Sequence, residues 1–178
     1  MAVLSDILQA IDTVYPGSRR WVTSSSKNEH IIDDATHGCV FTAATTVPGF
    51  DVINPSGVCV ALVQIDGKLL PPKKGGQCDC AFVYDESFNL VEFKTNATSF
   101  NKKTVRKTYN KAIGQLKNTL VRFKAAGLNI LSLATDAEAH VCFSNVYPRK
   151  KASEMNRSMR FAAETCGVGL FFENSKSI

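Results

Sequence analysis

The sequence lacks any long apolar run. None of its 178 residues belongs to a stretch of about 18 apolar residues, the length a transmembrane helix requires. Residues 1–15 are amphipathic and carry Asp6 and Asp12, whereas a signal peptide has a basic start and an unbroken apolar segment. Hydrophobic residues make up 44% and charged residues 21% of the chain. We therefore expect a non-membrane protein folded as a single domain over residues 1–178.

Paired metal-binding cysteines are also missing. No CxxC occurs, and His37-x-Cys39 has no second pair with which to complete a zinc site. Most of the cysteines lie in apolar, strand-like sequence, which predicts buried or half-buried thiols in a reducing compartment and a cytoplasmic location. Cys78 and Cys80 are two residues apart, so on a strand they would share one face, with Asp79 on the other. The six are Cys39, Cys59, Cys78, Cys80, Cys142 and Cys166.

Several catalytic signatures are absent as well. The three histidines, His30, His37 and His140, form neither an HNH-like nor an HExxH spacing. No Gly-rich phosphate loop is present, because Gly75-Gly76 has the character of a turn. These absences disfavour zinc-protease and P-loop chemistry.

Acidic residues are missing from one long segment. Between Phe93 and Thr135 there are nine Lys or Arg and no Asp or Glu, in a chain of net charge +5. Such a block attracts a polyanion, although a solvated basic face without a partner has the same composition. Positive charge at a helix N-terminus opposes the macrodipole, which favours a functional reason for it. The candidate phosphate-binding residues are Lys102, Lys103, Arg106, Lys107 and Lys111.

Hydrophobic periodicity predicts alternating helices and strands. The expected fold is therefore α/β, with a mixed central sheet flanked by helices on each side. Residues 48–57 and 69–76 are expected to be loops, and residues 18–38 show no clear pattern. The predicted helices cover residues 4–15, 103–126 and 152–165, and the predicted strands cover 40–46, 58–65, 78–84, 89–95, 129–134, 139–146 and 168–172.

Three ionisable residues interrupt the apolar strands of one predicted hairpin. Glu92 and Lys94 are two apart and so share a face of their strand. A turn centred on Asp85 and Glu86 would put Asp79 directly opposite Glu92, and a four-residue turn would put it opposite Lys94 instead. Either turn places all three groups on one face.

Two buried carboxylates and a lysine are costly unless something compensates their charge. Mg²⁺ suits such a site, since it takes one or two carboxylates and completes its shell with water and substrate phosphate. The ion would acidify a water and neutralise charge on a phosphate, and a lysine beside it could stabilise the transition state. The constellation predicts a phosphodiester hydrolase.

Asp79, followed after twelve residues by Glu92-Phe93-Lys94, resembles the signature of the PD-(D/E)XK nuclease superfamily, and the stretch from Asp66-Gly67 to Gln115-Leu116 resembles small prokaryotic nuclease-like proteins. The resemblance implies the restriction-endonuclease-like core of helix, three strands, helix and strand, from residue 4 to about residue 134. The family places proline more often than cysteine before the aspartate, but that position is loosely specified.

The resemblance also implies roles for individual residues. Asp79 and Glu92 would bind Mg²⁺, with Mn²⁺ able to substitute, and Lys94 would assist a DNA endonuclease reaction. Gln115 would lie near the site, and an acid from the first helix or shortly after it would join it, with Glu29 favoured over Asp6 and Asp12. A homodimer or a partner protein that supplies specificity would be compatible with this family.

Two other interpretations remain open. The chain could be a catalytically inactive nuclease-fold module that binds nucleic acid or a protein partner. Alternatively, the three ionisable residues could form a purely structural buried cluster in an interaction protein.

Overall fold

The computed structural model describes residues 3–43 and 46–178. Within these ranges the chain forms four α-helices, a short 3₁₀ turn at Ser18–Trp21 and ten strands. The helices are α1 (Leu4–Val14), α2 (Lys102–Ala125), α3 (Ile130–Leu133) and α4 (Lys151–Glu164). The strands are β1 (Val22–Ser25), β2 (Glu29–Asp34), β3 (Gly38–Thr42), β4 (Phe50–Ile53), β5 (Val60–Gln64), β6 (Cys80–Tyr84), β7 (Ser87–Lys94), β8 (Asp136–Phe143), β9 (Gly169–Phe171) and β10 (Ser175–Ser177).

The strands form two mixed sheets. The larger has the order β1-β5-β6-β7-β8-β9, and the smaller has the order β10-β4-β2-β3. In the larger sheet β1, β5, β6 and β7 are antiparallel neighbours, and β8 and β9 then run parallel to β7. Each of the two parallel connections contains a helix, because α2 lies between β7 and β8 and α4 lies between β8 and β9. Parallel neighbours need such a crossover connection.

The two faces of the six-stranded sheet are covered differently. One face carries Ala61, Val83 and Leu90, which pack with side chains of α1, α2 and α4, such as Ile11 and Leu116. The opposite face packs against the four-stranded sheet, with Leu62, Phe82 and Val91 touching a cluster that includes Ile31 and Phe50. The expectation of helices on each side is therefore wrong for the described residues. The strands are apolar on both faces because a second sheet takes the place of one helical layer.

The central part of the chain follows the predicted order. Helix α1 precedes the antiparallel strands β5, β6 and β7, and α2 then leads to the parallel strand β8. The long helix begins one residue earlier than predicted, where Asn101 Oδ1 accepts hydrogen bonds from the amides of Lys103 and Thr104. It ends before Gly127, whose φ of 95° suits glycine. None of the helices in the described ranges has both the length and the apolar character needed to cross a bilayer.

Other predicted elements are corrected. Residues 130–133 form the short helix α3 instead of a strand, and the following strand is β8, which begins at Asp136. The predicted loop 48–57 contains β4, and the unassigned segment 18–38 contains β1 and β2. Part of the predicted strand 40–46 lies outside the described residues, and the rest belongs to β3. Strands β1 to β4 are four to six residues long, too short for an alternating pattern to be distinctive.

The cysteines are all free thiols, and four of the six are buried. Cys59 and Cys166 are exposed, which corrects the expectation that all six would be at least half-buried. Burial raises the pKa of Cys78, Cys80 and Cys142. These three behave as small apolar side chains rather than nucleophiles.

Gly49 and Gly114 differ in the room available for a side chain. A Cβ at Gly49 would overlap His30 Nε2 and the carbonyl oxygen of Ile31, so the smaller sheet needs glycine there. A Cβ on Gly114, within α2, would meet nothing within 4 Å. Gly49→Ala should therefore destabilise the fold by about 1–3 kcal/mol through overpacking, measured as the free energy of unfolding in urea.

Gly114→Ala is the matched control. It should stabilise the protein by about 0.5–1 kcal/mol, because glycine is a poor residue for a helix interior. If Gly49→Ala were neutral, the close approach of the backbone at Gly49 would be contradicted.

Candidate functional site

The hairpin of β6 and β7 has the two-residue turn that aligns Asp79 with Glu92. Tyr84 pairs with Ser87 and Cys80 pairs with Val91, and Asp79 follows directly beyond this last pair, at the level of Glu92. Asp85 has a φ of 42°, the left-handed conformation that tight hairpin turns use. The predicted two-residue turn at Asp85 and Glu86 is confirmed, while the observed pairing of the strands ends at Cys80 and Val91.

Glu92 is a fully buried carboxylate. Its exposed fraction is 0%, and Lys94 Nζ donates a hydrogen bond to its Oε1. Its second oxygen, Oε2, is buried and has no hydrogen-bond partner among the described residues. Burial, reinforced by the charge of Asp79, raises the pKa of Glu92 to about 9 against the opposing effect of Lys94. One lysine therefore does not compensate this carboxylate.

Asp79 lies at a distortion where the strand begins. Its carbonyl oxygen accepts hydrogen bonds from the amides of both Ile65 and Asp66, at 3.0 and 3.2 Å. As a result, Cys78 packs in the helix-side cluster and Cys80 in the cluster between the sheets. The prediction that these two cysteines share a face is therefore wrong.

The Asp79 side chain is tied to the neighbouring strand. Its Oδ2 accepts a hydrogen bond of 2.6 Å from the amide of Phe93. Burial raises the pKa of Asp79 to about 7, although this hydrogen bond favours the charged form. Two carboxylates with raised pKa values thus lie on adjacent strands, a pattern enriched at functional sites.

Two further carboxylates belong to the same electrostatic cluster. Asp33 and Asp66 both raise the pKa of Asp79 through their charge, and Lys94 acts on Asp33 as well as on Asp79. Asp33 lies on β2 of the smaller sheet, on the same face of the strand as Ile31, which packs against the larger sheet. Sequence reasoning missed Asp33 because only the packing of one sheet on the other brings it there. The available signal in the sequence was alternation, which puts Glu29, Ile31 and Asp33 on one face of a strand.

This arrangement has too much negative charge for the one lysine that acts on it. Lys94 acts on Asp33, Asp79 and Glu92, and the charge of Asp66 acts on the same three carboxylates. Within residues 3–43 and 46–178, no group of three or more His, Cys, Asp or Glu side chains has the geometry of a ready-made metal cage. Asp79 and Glu92 interact electrostatically, and the second oxygen of Glu92 has no hydrogen-bond partner among the described residues.

Helix α2 holds the chain that leads into Asp79. Thr119 Oγ1 accepts a hydrogen bond of 2.9 Å from the Cys78 amide, and Gln115 Nε2 donates one of 3.0 Å to the Gln77 carbonyl oxygen. Arg122 Nη1 donates to Gln77 Oε1 at 2.7 Å, and Gln77 Nε2 in turn donates to Asp66 Oδ1 at 2.5 Å. The segment before Asp79 is therefore fixed by both backbone and side-chain contacts.

The other predicted site residues have different positions. Gln115 contacts the backbone before Asp79, so its observed contact is that of a positioning residue. Glu29 accepts a hydrogen bond of 2.5 Å from Ser25 Oγ, and no contact joins it to Asp79, Glu92 or Lys94 within the described chain. Asp33, four residues further along β2, is the acidic residue of this strand that interacts with Asp79.

The basic residues of α2 divide into two groups. Lys102 and Arg106 line surface cavities between α2 and the start of α4. Lys103, Lys107 and Lys111 are exposed and line none of the cavities described. The predicted phosphate-binding residues are thus exposed, but they do not form one surface.

Comparison of the chain with protein-family models, with curated proteins and with solved structures gives no match in any of the three.

Thr119 provides a test of how the site is held. Thr119→Val keeps the side-chain volume but leaves the buried Cys78 amide without its acceptor, which should cost about 1–3 kcal/mol. The measurement is the free energy of unfolding in urea. Thr108→Val, on an outer turn of the same helix, removes only a bond to the Thr104 carbonyl oxygen and should change stability by less than about 0.5 kcal/mol. Equal effects of the two variants would contradict the role of Thr119.

Proposed function

We propose that this protein is a metal-dependent endonuclease of the restriction-endonuclease-like type, which hydrolyses phosphodiester bonds in DNA. The observation that carries the proposal is the buried, unpaired Oε2 of Glu92, whose carboxyl group interacts electrostatically with Asp79. A buried carboxylate oxygen without a donor is costly, and a divalent cation held with Asp79 would remove that cost.

The architecture around the site supports the same proposal. The order of one helix, three antiparallel strands, a helix and a parallel strand is the arrangement that the PD-(D/E)XK resemblance implies. Glu92 and Lys94 lie on β7, a middle strand of the six-stranded sheet, and Asp79 lies one residue before its neighbour β6. The covering sheet on the opposite face is an addition to that core.

Charge explains why a cation would be needed before a phosphodiester could approach. In their charged forms the carboxylates would repel a phosphate, and the raised pKa values of Asp79 and Glu92 show that Lys94 alone does not offset that charge. Asp79 and Glu92 would hold Mg²⁺, or Mn²⁺ in its place. The ion would supply an acidified water and stabilise charge that develops on the phosphate.

Lys94 is positioned to act on the reacting group. Its ammonium donates to Glu92 Oε1 and to the Phe93 carbonyl oxygen, and an ammonium has three donors. The remaining N–H can orient the attacking water or contact a phosphate oxygen. Its side chain is 14% exposed, so it is held by its neighbours yet reachable by a substrate.

Cleavage of supercoiled and single-stranded DNA in Mg²⁺ or Mn²⁺ tests this activity. Lys94→Ala should reduce the rate by at least about 100-fold, the scale of losing one transition-state donor. Lys176→Ala is the matched control, because its side chain is also 14% exposed and also pairs with carboxylates, Glu138 and Asp136, on another part of the sheet. The control variant should cleave like the native chain.

Equal activity of native chain and Lys94→Ala would contradict the proposed role of Lys94. An absence of cleavage by the native chain on every DNA and RNA offered would instead favour a nuclease-fold module that binds without cutting.

Metal binding is tested separately by thermal unfolding. A saturating divalent ion, at about 100 times its Kd, should stabilise the native chain by about 2.7 kcal/mol, or roughly 5–10 °C. Glu92→Gln should abolish this shift, since the amide offers a weaker and neutral ligand, and Asp33→Asn should reduce it. The melting temperature is measured in Mn²⁺ and in chelator for each variant.

Glu86→Gln, in the turn at the other end of the same hairpin, is the control and should keep the full shift. A native chain whose melting temperature does not respond to Mg²⁺ or Mn²⁺, or a Glu92→Gln variant that responds as strongly as the native chain, would exclude this metal site.

A further inference from the structure

A basic groove runs between α2 and α4 on the outer side of the helical layer. It consists of two adjoining cavities of about 490 and 410 Å³, which share Arg106, Ser153 and Arg157. From Arg106 to Lys117, the wall formed by α2 extends over about 16 Å. We call this surface the α2–α4 groove.

Both walls of the groove carry positive charge. Helix α2 contributes Lys102, Arg106 and Lys117. The facing wall contributes Arg149, Lys150, Arg157 and Arg160. No acidic residue lines either cavity in the described chain. The groove is therefore complementary to an extended anion rather than to a neutral or apolar ligand.

Some of these cations are already engaged and others are free for a ligand. Arg149 pairs with Glu154, while Lys117 and Arg160 both pair with Glu164 at the far end of the groove. Arg106 and Lys150, by contrast, make no side-chain hydrogen bond or ion pair in the described residues. Free cations remain at the end where the two helices begin.

That end of the groove lies at the edge of the sheet that holds the candidate site. Strands β7 and β8 are parallel, with Lys94 beside Phe143, and α2 and α4 begin beyond the carboxyl ends of these two strands. Helix α2 begins with Lys102 and Lys103 and has no acidic residue in its first turn, so these lysines oppose its dipole, whereas α4 has Glu154 in its first turn.

Gly114 lies among the groove residues in the middle of a 24-residue helix. Packing within the protein does not require glycine at this position, because a Cβ there would meet nothing within 4 Å. Glycine in a helix interior is unfavourable, and it suits a place where another chain approaches the backbone.

Phe100 adds an apolar surface to the same groove. Its side chain lines the cavity nearest the start of α2 and is 72% exposed. An aromatic ring beside a row of cations is the arrangement by which proteins bind unpaired nucleotides, with the ring stacking on a base and the cations following the phosphates. A duplex offers no free base face for such stacking along its length.

We infer that the α2–α4 groove binds single-stranded nucleic acid, with Arg106 and Lys150 contacting phosphates and Phe100 stacking on a base. The inference rests on the proposed function only in naming its substrate: the enzyme would act on single-stranded or locally opened strands led from this groove to the sheet edge.

Binding of fluorescein-labelled dT12 and U12 in chelator tests the inference, since no metal-dependent cleavage then occurs. Arg106→Gln with Lys150→Gln should weaken binding about tenfold and lower the slope of log affinity against log salt by about 1.4, since a single-strand phosphate contact contributes about 0.7. Lys107→Gln with Lys111→Gln removes the same charge outside the groove and should change affinity less than about threefold.

Variants that leave the net charge unchanged test whether binding depends on the shape of the groove and on the aromatic ring. Gly114→Phe should fill the groove and abolish binding with no change of charge, whereas Gly114→Ala should retain it. Phe100→Ala should weaken binding to dT12 about fivefold or more. A preference for dT12 or U12 would identify DNA or RNA as the strand.

Equal losses in the groove and control variants would overturn the inference, as would full binding by Gly114→Phe. Displacement of dT12 by a 12-bp duplex or by polyglutamate at equal charge would also overturn it. The nuclease proposal fails independently: a chain that binds dT12 in chelator but cleaves nothing in Mn²⁺ keeps the groove and loses the activity.

Discussion

The burial of the Glu92 carboxylate is the constraint on which the centre of this structure depends. The residue stands on a strand flanked by neighbours on both sides, under helices, with none of its surface exposed. Replacing such a group by an apolar side chain would suit a core of this kind at least as well. The chain instead places Lys94, Asp79 and the charge of Asp66 around it, and Asp33 acts in turn on Asp79. An arrangement that costs stability in this way is expected where chemistry requires it.

Three kinds of contact bring these groups together. The hairpin turn sets Asp79 against Glu92, because a two-residue loop determines the register of both strands. Asp33 reaches the cluster only because β2 lies in a sheet that packs across the other strands through Ile31 and Phe50. Helix α2 then holds the segment before Asp79 through Thr119 and Gln115. Local pairing, sheet packing and helix contacts thus converge on one point.

The difference between local and long-range contacts explains how much of the structure could be predicted from the sequence. The register of Asp79 and Glu92 follows from turn length and side-chain alternation, and α2 follows from helical spacing over 24 residues. Both are local properties. The smaller sheet is not local, because β10 pairs with β4 from the far end of the chain and its strands are short. The place of Asp33 in the cluster and the second covering layer depend on that packing. The segment 129–134 shows the remaining limit, since its apolar run suits a strand or a buried helical turn equally.

The two sides of helix α2 contact different parts of the structure. Its inner side grips the segment before Asp79 through Gln115, Thr119 and Arg122. Its outer side, with Arg106, Gly114 and Lys117, forms one wall of the α2–α4 groove. A helix translates and rotates nearly as a rigid rod, because its side chains are close-packed and deform little. If α2 were displaced as a rigid body, the Gln77 segment bonded to it would be displaced as well, so the wall of the groove and the chain that leads into Asp79 share one structural element.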